Sequence, residues 1–382
     1  MAKKGNGENV EKKEKGLMEK LRDDLAKSVQ GAHVSVLSKS EIAKIDSWID
    51  SPSYDLNRII SGSLFKGVPA KSFTLLVGPE ASFKSSCMAI MTGQAQKEGY
   101  LPVILDTEGS WTDEFTSRWG IDGNNALYVY TPWIDEMMVM LGKIIKNPEY
   151  RKLALVIDSI GGLERLKLVE DANKGDVKAD QGSLQKDIKR MLKMVVNIAK
   201  ARESVCFAGG HLYGNPSQYG EPEQLGGGKY LRHAADLIIA LKKYFIKDGD
   251  GKDAKVIGTS IKAVTRKNRY YPPYNEAIVE IDYRKGINKI AGLFDLALEA
   301  GIFTGGGAGW YTHVESGEKF QGASKFPEWL EDNSPDVILN QIEQWIQTTG
   351  YSSINTNVAE AEELLKKSSD YKEAEKEWTN EG

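Results

Sequence analysis

Cysteine is scarce: Cys87 and Cys206 are the only two in 382 residues, and both lie inside apolar runs. That excludes a disulfide framework and leaves the pair as reduced core residues. No apolar run reaches the roughly 20 residues that a membrane helix needs. The opening stretch "MAKKGNGENVEKKEKGLMEK" carries charge without the apolar segment of a cleavable signal. The expectation is a soluble, cytoplasmic protein. An excess of positive charge is missing too, since 50 Lys and Arg against 54 Asp and Glu give a formal net charge of −4. Nothing in that balance points to a basic nucleic-acid binder. The sum conceals an acidic end, "NVAEAEELLKKSSDYKEAEKEWTNEG", without which the chain is close to neutral, so local basic loops stay open. Internal repeats are also absent.

What is present is alternation. "KSFTLLVG" reads as a buried strand and "KSSCMAIMTGQAQKEG" as a helix closed by Gly99. "LPVILDTEG", "NALYVYTP", "KLALVIDSIGG" and "SVCFAGG" read as further strands, with helices around "TDEFTSRWG", over "IDEMMVMLGKIIK" and over residues 181–202. Strands alternating with helices of this length predict an α/β fold with a parallel sheet covered on both faces. After Ala234 the runs "ADLIIALKKYFI", "VIGTSIKAVT" and "EAIVEIDY" predict an antiparallel extension. A small C-terminal module follows, with "IAGLFDLALEAGIF" and "SPDVILNQIEQWIQ" as helices around a Gly-rich turn. At the other end, residues 1–16 are expected to be disordered and "LMEKLRDDLAKSVQ" to form a short amphipathic helix. The expected organisation is an N-terminal helical segment over 1–47, a core over 48–288, a small domain over 289–350 and a disordered acidic tail over 351–382.

The stretch "LLVGPEASFKSSCMAI" carries the chemistry. A phosphate-binding loop follows a strand with G-x-x-x-x-G-K-[ST], so that backbone N–H groups surround phosphate while Lys and a hydroxyl serve charge and magnesium. Gly78, Lys84 and Ser85 stand at that spacing, with Pro79, Glu80, Ala81, Ser82 and Ser86 completing the loop, but Phe83 replaces the second glycine. A chance strand–turn–helix is the alternative. A side chain at Phe83 is expected only if its backbone is ordinary and its ring points away. Asp158 ends the apolar strand "KLALVID" and is the candidate to hold a magnesium-bound water beside Ser85. Glu108, after Asp106 in "VILDTEGSW", would activate water for attack on the γ-phosphate or else merely cap a helix.

Together, "GPEASFKSS", "LDTEGSWTDEFTSRWGID", "LALVIDSIGGL" and "GGGKYLRHAADLIIALKK", in this order, resemble the RecA/Rad51 strand-exchange recombinases. The "SFKS" form is most similar to the phage UvsX-type branch, and the match covers roughly Trp48 to Trp345. The resemblance implies a RecA-like ATPase core that uses ATP and Mg²⁺. It implies a homo-oligomeric filament on single-stranded DNA that pairs it with duplex, working with loader and single-strand-binding proteins. Glu108 matches the water-activating glutamate. Phe115 matches an aromatic that stacks on adenine, or is a core ring. Lys267 and Arg269 match cations that reach the neighbouring subunit's γ-phosphate, or belong to a solvated basic turn. His211 matches a γ-phosphate sensor that is usually Gln, or is a satisfied core histidine. Residues 161–182 and 211–233 fall where the family has two DNA loops. Their candidates are Arg165, Lys167, Lys174 and Lys178 in the first, and Tyr213, Tyr219, Gly226, Gly227, Gly228, Lys229 and Arg232 in the second. Ordinary mobile surface loops are the alternative, and their acidic residues imply moderate, salt-sensitive binding. The N-terminal helix and "AHVSVLS" are expected to dock on a neighbouring subunit, and the acidic tail either competes with DNA or only solubilises. Competing functions are a ring helicase of RecA fold and a non-hydrolysing, ATP-gated DNA-binding accessory, which slow turnover and failed strand exchange would distinguish.

Overall fold

The computed structural model describes residues 7–29, 33–167, 181–214, 223–225, 229–248, 255–305 and 307–349. The chain divides into two compact units, Met1–Asp46 and Ser47–Gly382. In the first, helix α1 spans Gly7–Ser28 and a 3-10 turn spans Leu37–Lys39. The helix therefore starts well before Leu17, and the expected disorder of residues 1–16 is corrected from Gly7 onward. Glu and Lys are good helix formers, so a charge-rich but balanced stretch extends the helix. Leu17, Met18, Leu21 and Leu25 are exposed along it.

The second unit opens with β1 (Trp48–Ile49), α2 (Tyr54–Ser61) and β2 (Val68–Pro69), the two strands pairing antiparallel. Ser53 caps α2 by accepting from the Leu56 N–H at 3.1 Å. The alternating segment then follows as β3 (Phe73–Gly78), α3 (Lys84–Lys97), β4 (Leu101–Asp106), α4 (Asp113–Arg118), β5 (Leu127–Tyr130), α5 (Ile134–Lys146), β6 (Leu153–Asp158), α6 (Gln181–Ala201) and β7 (Val205–Gly214). Next come β8 (Glu223–Leu225), α7 (Lys229–Ala234), β9 (Leu237–Asp248), β10 (Lys255–Asn268), β11 (Glu276–Asp282) and β12 (Gly286–Asn288).

Among the described residues these strands form one sheet in the order β12-β11-β10-β9-β3-β7-β6-β4-β5, with β8 on β7. The strands from β9 through β3 to β5 run parallel, and β10 to β12 extend the sheet antiparallel. This is the α/β architecture expected. β7 runs further than its sequence signal and turns back as β8, with Tyr213 opposite Gln224.

Because successive strand residues face opposite sides, the sheet buries two layers. Leu76, Ile104, Val156, Phe207 and Ile239 pack with α3 residues such as Met88 and Met91 on one face. Leu75, Val77, Leu155, Ile157 and Ala208 pack with Leu141 of α5 and Met191, Leu192 and Val195 of α6 on the other. Cys87 and Cys206 are free and buried in these layers, and burial pushes the Cys87 thiol up to about 12. The register fixes the site: Gly78 lies opposite His211 and Asp106 opposite Asp158, all at the carboxyl edge of parallel strands.

The C-terminal module contains α8 (Leu293–Glu299), β13 (Phe303–Gly305), β14 (Trp310–His313), β15 (Lys319–Gln321), α9 (Phe326–Asp332) and α10 (Pro335–Thr349). The Gly-rich stretch expected as a turn is thus a three-stranded antiparallel sheet. Phe294, Phe303, Phe320, Phe326 and Trp329 form its aromatic core, which Leu64 joins.

Candidate active site

Gly78 ends β3 where a Cβ would lie 2.5 Å from both the Leu241 carbonyl and the Ser82 hydroxyl, so the turn off the strand admits only glycine. The loop delivers the chain into α3, whose first turn holds no acidic residue and whose cap, Phe83, offers no side-chain hydrogen bond. The orphan N–H groups of that turn, which any helix start leaves, suit an anion. The Lys84 ammonium donates to the carbonyls of Gly78 at 3.1 Å and Pro79 at 2.7 Å. Burial lowers its pKa, opposed by the carboxylates of Asp158, Glu108 and Glu80.

Phe83 departs from expectation. Its backbone is left-handed, φ 79° and ψ 14°, not ordinary. The ring packs edge-on to Trp119 at 5.7 Å and against the α3 layer. A left-handed conformation costs a non-glycine residue about 1–2 kcal/mol. An aromatic pair with partial burial returns an amount of similar size.

Asp158 is buried and accepts from the Trp111 indole N–H at 2.8 Å and from the Ser85 hydroxyl. Burial raises its pKa, against those two hydrogen bonds, and the nearby charges of Glu108 and Asp106 add to the rise. A Cβ at Gly209 would stand 2.8 Å from its Oδ1, so β7 must be bare there. Asp106, fully buried, shapes the next loop: it accepts from the N–H groups of Glu108, Gly109 and Trp111 at 2.9–3.0 Å and from the Tyr128 hydroxyl at 3.2 Å. This presents Glu108, whose Oε1 accepts from the Ser159 hydroxyl at 2.7 Å and lies 3.8 Å from His211 Nε2. His211 Nε2 is also 3.5 Å from the Ser159 hydroxyl.

These groups share one cavity of about 1000 Å³, lined by residues 80–86, Glu108, Asp158, His211, Arg118 and Trp119. Its far wall is the turn between β11 and β12, where Asp282 accepts from the N–H groups of Arg284 and Lys285 and Tyr283 faces the space. Phe115 stands outside the lining, edge-on to Trp111 at 5.4 Å.

Lys267 and Arg269 lie elsewhere. Lys267 lies at the end of β10 and Arg269 just beyond it, beside Leu237 and Ile238, which pair with the beginning of β3. That is the sheet edge opposite Gly78, about 13 Å away along β3 at 3.3 Å per residue. Burial lowers the Lys267 pKa and neighbouring Arg269 lowers it further.

Of the first-loop candidates, Arg165 is paired with buried Asp187 at 3.0 Å and Lys167 is exposed, while Lys174 and Lys178 lie outside the described residues. In the second, Gly226, Gly227, Gly228 and Tyr219 lie outside them as well. Tyr213 sits on β7, Lys229 opens α7 and Arg232 is half-buried within it. Sequence reasoning missed the exposed cations of α6: Lys186, Lys189, Arg190 and Lys193, spaced as one helical face. The Lys189 ammonium lies over the Tyr230 ring of α7, 5.3 Å from its centre, which joins this stripe to the helix that follows the second loop. Trp111 and Ser159 were missed as well.

A model of the RecA N-terminal domain matches residues 18–288. The chain belongs to the RecA family. Similar relatives include Protein RecA of Aquifex aeolicus, 27% identical over 299 residues that cover 78% of this chain and 83% of the relative. Protein RecA of Chlorobaculum parvum is 27% identical over 286 residues, covering 74% and 78%, and that of Acinetobacter baylyi 25% over 275, covering 70% and 74%. Membership makes this RecA-family chain a recombinase of the general RecA type, a protein of DNA recombination and repair that binds ATP and DNA.

The donor set suits a nucleotide with magnesium. Magnesium is typically held by one or two carboxylates together with substrate phosphates. Asp158 beside the Ser85 hydroxyl offers that, and among the described residues no cluster of His, Cys, Asp and Glu builds an all-protein cage.

Proposed function

We propose that this RecA-family protein is a DNA-dependent ATPase that assembles as a filament on single-stranded DNA and carries out homologous pairing and strand exchange. The observation that carries this is the convergence of Lys84, Ser85, Asp158, Glu108 and His211 on one cavity at the carboxyl edge of the sheet. In this reading Lys84 exchanges its loop carbonyls for the β- and γ-phosphates, and the N–H groups opening α3 bind phosphate oxygen. Ser85 and Asp158 would hold Mg²⁺, which would supply neutralisation of phosphate charge there. Glu108 takes the proton of the attacking water, with Ser159 fixing its carboxylate by a 2.7 Å hydrogen bond. His211, in reach of both Glu108 and Ser159, senses the γ-phosphate and passes the change along β7 toward the second loop.

Lys267 and Arg269 cannot serve their own subunit's phosphates from the opposite edge. Head-to-tail stacking of copies brings such an edge to the next subunit's loop, so the pair acts in trans and turnover requires assembly. DNA is held through phosphates by Lys167, Lys186, Lys189 and Lys193 with the two loops, which gives affinity without sequence preference. The "SFKS" form of the loop supports the UvsX-type branch, and mediators and single-strand-binding proteins in the cytoplasm are its expected partners.

A strand-exchange assay between circular single-stranded DNA and homologous linear duplex tests the reading. Joint molecules are expected with ATP and wild-type protein and not with Lys84→Ala. Filaments on DNA that form no joint molecules would instead favour an ATP-gated accessory.

A further inference from the structure

Asp236 is the buried carboxylate at the sheet edge opposite the nucleotide cavity. It stands between α7 and β9, and its main chain joins β3 by donating from N–H to the Phe73 carbonyl at 2.8 Å. Its Oδ2 accepts from the Phe73 N–H at 3.0 Å and from the Lys200 ammonium at 3.3 Å. Its Oδ1 is 3.0 Å from Arg269 Nη1, and its carbonyl accepts from the Arg269 N–H at 3.1 Å. Arg269 is thus gripped at both backbone and guanidinium, although half of its side chain is exposed. Two residues earlier, the Lys267 ammonium donates to the carbonyls of Arg232 at 2.8 Å and His233 at 3.1 Å, in the last turn of α7.

A long cation on a strand end has many rotamers, and fixing one costs conformational entropy. A buried carboxylate that already satisfies two other donors is rigid, so it can hold a guanidinium at a set position while leaving its outer N–H groups for another acceptor. The carbonyl end of α7 serves Lys267 in the same way.

We propose that Asp236 is a positioning residue. It holds Arg269 and, with the end of α7, sets the Lys267–Arg269 pair at the geometry in which it meets the neighbouring subunit's nucleotide. The inference rests on the trans role proposed above for that pair. It also ties the pair to α7 through the carbonyls of Arg232 and His233.

The test uses full-length protein and DNA-dependent ATP turnover in mixed filaments. Asp236→Asn keeps the shape and the acceptor for Phe73 but weakens the hold on Arg269, and turnover is expected to fall about tenfold or more, as misplacement of a catalytic group does. Glu108→Gln subunits cannot activate water but still present an intact donating edge. In a one-to-one mixture about a quarter of head-to-tail junctions pair an intact site with an intact edge, so turnover is expected to recover toward that fraction of wild type. Arg269→Gln mixed with Glu108→Gln should recover equally, and Asp236→Asn added to Arg269→Gln should lower turnover no further.

Three results overturn the proposal: wild-type turnover in Asp236→Asn, a multiplicative double variant, or a defect that Glu108→Gln subunits do not relieve. The last would place the defect in the variant's own site, transmitted through Phe73 and β3. Failure of Arg269→Gln itself to recover would remove the trans reading, and this inference with it. If the amide variant does not fold, Asp236→Ser, whose hydroxyl can still accept from Phe73, replaces it in each arm.

Discussion

At Phe83 the backbone takes a conformation that favours glycine, and the side chain compensates through Trp119 and the α3 layer. This inverts a usual order of stability. In the interior of a helix or strand Ala is more stable than Gly by roughly 0.5–1 kcal/mol. At position 83 Phe83→Gly sheds the left-handed cost, while Phe83→Ala keeps it and loses the ring. Denaturant unfolding is therefore expected to find Phe83→Ala about 2 kcal/mol below wild type and Phe83→Gly about 1 kcal/mol above the alanine variant. An alanine variant more stable than the glycine one would contradict the assignment. Asp158 makes the opposite kind of exchange. Burial raises its pKa, so its favourable protonated contribution is full below the ordinary carboxylate range and is lost as pH rises through the raised folded value. In its ionised form the group is a stability cost. Asp158→Asn keeps an acceptor for Trp111, so it is expected to raise the Tm of the nucleotide-free protein at pH 7 while abolishing magnesium-dependent turnover. A lowered Tm would show that the charge stabilises the site. Gly78, Lys84, Ser85 and Asp158 were legible because strand-ending and loop spacings are written along the chain. The Ser159–Glu108 and Trp111–Asp158 contacts were not, since each joins segments some fifty residues apart through the register of β4 with β6.

Among the elements, α6 shows how a helix can carry two messages. Ile188, Met191, Leu192 and Val195 enter the core, while Lys186, Lys189, Arg190 and Lys193 line the exposed side. The apolar half declared the helix from sequence, whereas the basic half looked like an ordinary solvated face. The Lys189–Tyr230 contact joins it to the helix after the second loop. If this stripe holds DNA phosphates, replacing Lys186, Lys189 and Lys193 one at a time by Gln should weaken single-stranded DNA binding. Each replacement should also reduce the slope of log affinity against log salt by about 0.7. A weaker affinity with an unchanged slope would mean that these lysines act on folding and not on phosphate. Arg165 behaves differently, because its ion pair with Asp187 ties the start of the first loop to α6. Arg165→Gln is accordingly expected to affect stability more than the salt slope. The parallel core was legible from alternation of strand and helix. The strands β13 to β15 were not, because glycine-rich segments advertise turns while hiding the short strands between them.

For the whole molecule, the parallel strands β3 and β9 separate two chemical edges. The carboxyl edge carries Lys84, Asp158, Glu108 and His211, and the opposite edge carries Lys267 and Arg269 on Asp236. On the proposed function neither edge completes the reaction in its own subunit, so activity is expected to depend on assembly and on DNA. The most direct measurement is ATP hydrolysis with and without single-stranded DNA, for wild type beside Glu108→Gln. Slow turnover that DNA raises about tenfold or more, lost in a Glu108→Gln variant that still binds nucleotide and forms filaments, is the expected result. Turnover indifferent to DNA, or retained in Glu108→Gln, would contradict it.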